Sequence, residues 1–484
     1  MKNNKLTSPQ KYFNIKNIAF LLFLLFTLSC KKLVDINQPV TQLTGIKVYT
    51  NNASAIAVVT GIYDRMIVYQ GLSSGSSSFG SLCGLSADEL DNFTTIIDWS
   101  QFYQNAIIPD NSNINTRWGE LYQYIYSAND VIAELASATA VSAPVKKQLT
   151  GEAEFIRAFC YFYLVNLWGD VPLITTTAYQ TNAKSSRTDK TLVFQQIIND
   201  LNDAKSKLNS NYVGGDVLTT TTERVRPTKW AAMALLGRVY LYTGAWANAK
   251  LSADSVINNG GTYSLVSDLN SVFLKNSTEA IWQLQSVFPG LNTYDGYTYI
   301  LTSGPNDYAN PVALSKSLLS SFELGDNRRT NWINADSSTG TKYYYPFKYK
   351  IGVMGQPVTE YTMVLRLAEQ YLIRAEAEAN GATGGTSAAL NDLNAIRNRA
   401  GLPNYSGPTN QVSLLATILH ERQVELFTEW GHRWMDLKRT GKVDSVMSVI
   451  TPLKNGVWNT NKQLYPIPVS ETSSDPNITQ NTGY

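Results

Sequence analysis

Long stretches of this chain carry apolar residues at three- and four-residue steps, the period of helices with one buried face. In residues 116–135, Trp118, Leu121, Tyr122, Ile125, Ala128, Ile132 and Leu135 keep that step. Residues 151–168 repeat it more densely, with Phe155, Ala158, Phe159, Phe162 and Val165 on one side. Gly169-Asp170-Val171-Pro172 then predicts a helix stop and an extended exit. Residues 192–208 and 413–430 read as further amphipathic helices.

Residues 230–258 predict two helices rather than one. Leu236, Gly237, Tyr240, Gly244, Trp246 and Ala249 stand where a tetratricopeptide repeat puts Leu, a small residue, Tyr, a turn glycine, an aromatic and a small residue. The expected pair is antiparallel, crosses closely at Gly237 and Ala249, and turns at Thr243-Gly244. Residues 365–380 and 388–400 form a second Ala-rich pair, 116–135 and 151–168 a third, and 192–208 with 413–430 would complete a fourth. The predicted class is mainly α: a tetratricopeptide-like helical-repeat scaffold of about four helix pairs, with a loop-rich, partly β ligand-binding region. That region, residues 259–362, is rich in Tyr, Asn, Gly and Pro, with strand-like pieces at 280–287 and 341–351. Residues 71–81 are Gly/Ser-rich, and 209–228 carry Gly-Gly and a Thr run. Irregular insertions on a rigid scaffold are common places for binding residues.

The start of the chain has another character. Lys2, Lys5, Lys11 and Lys16 precede an uncharged apolar run, residues 18–28, and then Ser29-Cys30. A basic start, a short apolar core and a small residue at the cut predict an export signal over residues 1–29. The run is shorter than the ~20 residues that span a bilayer. Removing residues 1–29 leaves about 455, enough for two or three packed lobes.

Net charge is +2, and no long Lys/Arg run follows residue 32, so nothing resembles the footprint of a nucleic-acid binder. Only Cys83 and Cys160 follow Cys30. Cys160 falls in a dense apolar pattern and reads as a packing thiol, while export also permits a Cys83–Cys160 disulfide. His420 and His432 are the only histidines, which excludes a multi-histidine zinc site. Aromatics reach 11%, led by Tyr, a composition that suits recognition surfaces as well as cores.

Three stretches carry a resemblance. The first is Gly151-Glu-Ala-Glu-Phe-Ile-Arg157-Ala-Phe-Cys-Tyr161-Phe, leading into Leu167-Trp-Gly-Asp-Val-Pro172. The second is Leu393-Asn-Ala-Ile-Arg397-Asn-Arg399-Ala-Gly-Leu402, followed by Glu421, Arg422 and Glu425 and by Gly431-His-Arg433-Trp434-Met-Asp436-Leu-Lys-Arg439. The third is Tyr465-Pro-Ile-Pro468 with Asp475-Pro-Asn477 and the tail to Tyr484. In this order the chain resembles the SusD/RagB family of outer-membrane nutrient-binding lipoproteins of Bacteroidetes. The resemblance implies Cys30 as the lipid-attachment residue and mature N-terminus. It implies an outer-membrane protein, displayed at the cell exterior, that hands oligosaccharides to a SusC-like TonB-dependent transporter without catalysis or cofactor. Leu28, two residues before Cys30 rather than three, and basic Lys31-Lys32 depart from the family pattern. The division expected is a signal peptide over 1–29, an N-terminal part over 30–258 and a C-terminal part over 259–484. A peptide-binding member of the family is the competing reading, and an exported glycoside-active enzyme the more distant one.

Two clusters are the candidate ligand sites. Asp91 and Asn92 lead to Trp99 and Tyr103, a region where the family commonly presents an aromatic platform. Carried over, Trp99 or Tyr103 would stack on a sugar ring while Asp91 and Asn92 bind hydroxyls. Trp99 reads equally as the core anchor of a small helix. The second cluster is Tyr294, Tyr297 and Tyr299 among Gly, Asn and Pro, a loop signature that also fits an edge strand through the alternation of Tyr297 and Tyr299. Trp332 is a weaker candidate of the same kind, and residues 343–347 read as strand packing. Glu421 and Glu425, one helical turn apart, have the form of a glycosidase pair, but their Arg-rich surroundings favour structural ion pairs. No metal ligand set and no cofactor motif is expected.

Overall fold

Capping side chains set where the helices begin. In the computed structural model, which describes residues 48–68 and 71–484, Asn51 accepts from the Ser54 N–H ahead of Asn52–Met66 (α1). Ser78 does the same through Ser81 for Phe79–Ser86 (α2), and Ile97–Tyr103 (α3) follows. Asn111 caps Ser112–Ser137 (α4) by accepting from Asn113 and Ile114. Each such cap satisfies donors that the first turn leaves open. Cys30 and the export signal lie outside the described residues.

Ala143–Trp168 (α5) is the central post. It starts with proline in its first turn and ends at Gly169, whose φ of +80° few side-chain-bearing residues adopt. The sequence pattern put one face inward; the structure buries α5 almost all round from Gly151 to Val165, because neighbours cover every side. These are α4, Lys190–Lys207 (α6) and α1. Arg157 on α5 ties three helices, pairing with both oxygens of Asp200 at 2.8 and 2.7 Å and donating to Asn129 at 2.8 Å.

Lys229–Tyr242 (α7) and Trp246–Ile257 (α8) form the expected antiparallel pair. Gly244 turns with φ +71°, and a Cβ at Gly237 would stand 3.2 Å from Gln370 and 3.6 Å from Ser252. After the irregular region, Leu367–Ala379 (α10) packs on α8 and on Gly385–Arg399 (α11). Gln411–Leu426 (α12) and His432–Arg439 (α13) close the array; the label α9 belongs to Tyr294–Tyr299 in the insertion. One predicted pair is corrected: 192–208 and 413–430 are not partners. α6 lies against α5 and α7, whereas α12 lies against α10, α11 and α13.

Strands of the insertion form short antiparallel pairs with each other and with neighbouring segments. Leu90–Asn92 (β1) pairs with Val312–Leu314 (β3), and Ala280–Leu284 (β2) with Thr362–Arg366 (β6). Ile333–Asp336 (β4) pairs with Tyr343–Pro346 (β5), a strand shorter than the predicted 341–351. Trp332, a candidate ligand residue by sequence, is fully buried and donates from Nε1 to the Leu269 carbonyl at 2.8 Å. Cys83 and Cys160 are both buried and unpaired, so the permitted disulfide is absent. No helix among the described residues is long and apolar enough to cross a membrane.

Candidate functional site: an aromatic face on the insertion

The short strand β1 and helix α3 bring the first cluster together. Tyr103 donates to Asp91 at 3.2 Å, and burial raises the Asp91 carboxyl above its usual range. The Lys454 ammonium stands 5.0 Å from the Tyr103 ring centroid, and the same ion offsets part of that burial at Asp91. Asn92 donates to the Thr94 carbonyl and Ser100 Oγ, both at 3.1 Å, while its Oδ1 is buried without a partner. Trp99 is half-buried against the core, its Nε1 donating to the Ser76 carbonyl at 2.8 Å. Trp99 thus anchors the small helix while remaining partly exposed.

The second cluster is neither loop nor edge strand. Thr293 caps a six-residue helix, α9, by accepting from Gly296. That geometry turns Tyr294 inward, 8% exposed, and Tyr299 likewise, with its hydroxyl 2.8 Å from Ser81 Oγ. Tyr297 stays half-buried. The buried Ser/Gly-rich loop joins the two clusters across about 200 residues of sequence. Its Ser76 carbonyl holds Trp99, and its Gly75 N–H donates to Asp295 of α9 at 3.1 Å. Burial pushes the Asp295 carboxyl up to about 7.

Phe93 and Tyr308 stand outside the residues singled out from sequence, while Tyr343 lies in a strand, as expected of residues 343–347. Phe93, 38% exposed, meets Tyr343 of β5 edge-on with centroids 5.1 Å apart. Tyr308, 75% exposed, rides on a turn in which Asn306 Oδ1 accepts from three successive N–H groups. That turn is pinned to the first cluster by Asp307, which accepts from Thr95 N at 2.7 Å. It is also pinned to α9 by Asn310, which donates to the Thr298 carbonyl at 2.7 Å. Pro305-Asn306-Asp307-Tyr308-Ala309-Asn310-Pro311 carried the signal, a turn-forming sequence around one tyrosine.

The Arg-rich carboxylates are placed elsewhere and are inaccessible. Glu421 and Glu425 are both fully buried. Arg328 reaches them at 2.6 and 2.9 Å, and Arg366 reaches Glu425 at 2.5 Å. Arg399 also pairs with Glu425 and Arg397 with Glu421. Against the burial that raises it, this ring of guanidinium groups holds the Glu425 carboxyl well below the usual range. A glycosidase acid must reach a glycosidic oxygen, which neither side chain does. Among the described residues no group of His, Cys, Asp and Glu is arranged to hold a metal ion.

Comparison with known families decides the assignment. A model described as "Starch-binding associating with outer membrane" matches residues 47–241, and the SusD family model matches residues 330–484. The chain belongs to the SusD/RagB family. A SusD-like protein, P25, of Formosa agariphila is 26% identical, over 97% of this chain and 99% of its own length. A SusD superfamily crystal structure from Bacteroides vulgatus, 22% identical, superposes with a TM-score of 0.76 over 90% of this chain and 100% of its own. A laminarin-binding SusD-like protein, 25% identical, does so with 0.74 over 90% and 100%. The helical array described above is therefore the SusD fold.

Proposed function

We propose that this SusD-family protein is a non-catalytic glycan-binding lipoprotein, anchored through Cys30 at the outer membrane and facing outward. It captures oligosaccharides on the face formed by Trp99, Phe93, Tyr343, Tyr297 and Tyr308, and passes them to a SusC-like TonB-dependent transporter. The edge-on contact of Phe93 with Tyr343, beside a Tyr308 turn tied to both Thr95 and the Tyr297 carbonyl, supports the reading. Flat apolar rings accept the C–H face of a sugar, and Asp91, Asn92 and Asp307 supply hydroxyl partners nearby. Both parts of the chain, 30–258 and 259–484, contribute. Such shallow recognition gives dissociation constants in the micromolar to millimolar range, about −8 to −4 kcal/mol.

Because one similar protein is laminarin-binding, β-glucans head the panel to be tested. Calorimetric titration of residues 31–484 with laminarin, starch and other oligosaccharides should show saturable binding to one glycan class and no release of shorter products. Product release would contradict the non-catalytic reading, and binding of peptides in place of glycans would move the protein to the family's peptide branch.

A further inference from the structure

On the β4–β5 ribbon, Tyr343 and Tyr344 are neighbours in sequence and take opposite faces, as successive strand residues do. Tyr343 meets Phe93 on the aromatic face, and Tyr345, on the same side, is buried with Leu301 and Ala313. Tyr344 faces the other way, opposite the small Ala335 of β4. The Arg329 guanidinium stands 4.7 Å from its ring centroid and the Lys342 ammonium 5.0 Å. A hydrogen bond from Lys342 is the first of the effects that lower the Tyr344 phenol from its usual value, and the charges of Lys342 and Arg329 add to it.

These two cations have no carboxylate partner. Residues 327–350 hold five basic residues and one acidic one. Arg328 and Lys348 are buried in ion pairs with Asp326, Glu421, Glu425 and Glu429, and Lys350 donates to the Asn331 and Phe347 carbonyls. Asp336, the acidic residue, accepts from the Gly304 N–H and the Ser338 hydroxyl, both at 2.8 Å. Arg329 and Lys342 form no ion pair among the described residues. Lys342 is exposed and Arg329 half-buried, so both can meet a ligand. Both are also held by ordered elements. Arg329 sits in the short helix Asn327–Asn331, whose Asp326 cap accepts from the Arg328 N–H at 2.9 Å, and Lys342 directly precedes β5.

We propose that Arg329, Lys342 and the Tyr344 hydroxyl form an anion site, on the reverse of the ribbon from the aromatic face, that takes the sulfate or carboxylate group of an acidic oligosaccharide. The inference rests on the reading of the protein as glycan-binding and narrows the ligand class. A planar guanidinium and an ammonium at one phenol supply charged donors, the kind that hold oxyanions most strongly. No protein carboxylate has to leave before an oxyanion binds. The aromatic face has the opposite charge: hydrogen bonds from Thr95 hold the Asp307 carboxyl there below its usual value. Neutral rings therefore lie on the aromatic face, and the acidic group passes the exposed hairpin end, residues 337–342, to reach Arg329 and Lys342.

The test is calorimetric titration at low ionic strength with matched neutral and acidic ligands: laminarin and sulfated laminarin, desulfated and native carrageenan oligosaccharides, and methyl-esterified and free oligogalacturonate. The parent is compared with the double substitution Arg329→Gln, Lys342→Gln and with a control, Lys184→Gln, Lys442→Gln, which removes equal charge at other exposed positions. Lys342→Gln alone and Trp99→Ala complete the set, each checked for an unchanged unfolding midpoint. In at least one pair the acidic member should bind the parent about tenfold or more tightly than the neutral one. The double substitution should remove that preference, Lys342→Gln alone should reduce it, and the control should keep it. The sulfated and galacturonate arms tell which acid is read. Trp99→Ala should weaken both members of a pair alike; if it weakens neither while the preference stands, the aromatic-face reading fails and the anion site survives. No preference for an acidic member in any pair overturns the proposal, as does a preference that the double substitution leaves intact or that the control also loses. So does binding to phosphatidylglycerol vesicles that the double substitution abolishes, without a preference for any acidic glycan.

Discussion

Glu425 shows how a single side chain can look catalytic in sequence and be structural in space. Its carboxylate is shared by the buried Arg328 and Arg366 and by Arg399, whose side chain is 4% exposed. Removing one member of a buried ionic group leaves uncompensated charge, so Glu425→Gln should lower unfolding free energy by about 3–5 kcal/mol in urea denaturation. Because the folded state holds this carboxyl below its unfolded value, its contribution is complete above a pH of about 4.3 and is lost as pH falls below that. Glu89 behaves in the opposite sense. It is buried, its Oε1 has no partner, and burial followed by the charge of Asp88 pushes it up to about 8. A carboxyl raised in the folded state stabilises at low pH and loses that contribution as pH rises from about 4.3 toward 8. Glu89→Gln should therefore unfold at a higher temperature than the parent at pH 8 and at a similar one at pH 4.

Among the elements, the pair α7 and α8 was the most legible in sequence, since small residues at a helix crossing have a direct steric meaning. Gly237→Leu should cost about 1–3 kcal/mol, read as a lowered denaturation midpoint, because Gln370 and Ser252 occupy the space a side chain would need. The true neighbours of α6 and of α12 were not legible. Amphipathic period tells which face is buried but not against which helix, and these two are separated by the whole insertion. The tyrosines of α9 misled for a related reason. Gly, Asn and Pro around them read as loop, yet Thr293 and Gly296 make a helix cap, and a helix of six residues carries too few periods to show in the pattern. Tyr294 was consequently expected at a surface that it turns away from.

At the scale of the molecule, the scaffold was readable because each of its helices repeats a burial pattern over several turns. The proposed ligand face was readable only in part. Trp99, Asp91 and Asn92 were visible as a cluster close in sequence, whereas Phe93 and Tyr343 become neighbours only through pairing of distant segments. The account makes this face, and not the buried carboxylates, the seat of function. Calorimetric titration of the cognate glycan into the parent, Trp99→Ala and Phe93→Ala proteins tests that most directly. Each substitution should weaken binding by about tenfold or more while leaving the thermal unfolding midpoint within a few degrees of the parent. Parent-like affinity in both variants would contradict the account and place glycan recognition on another surface.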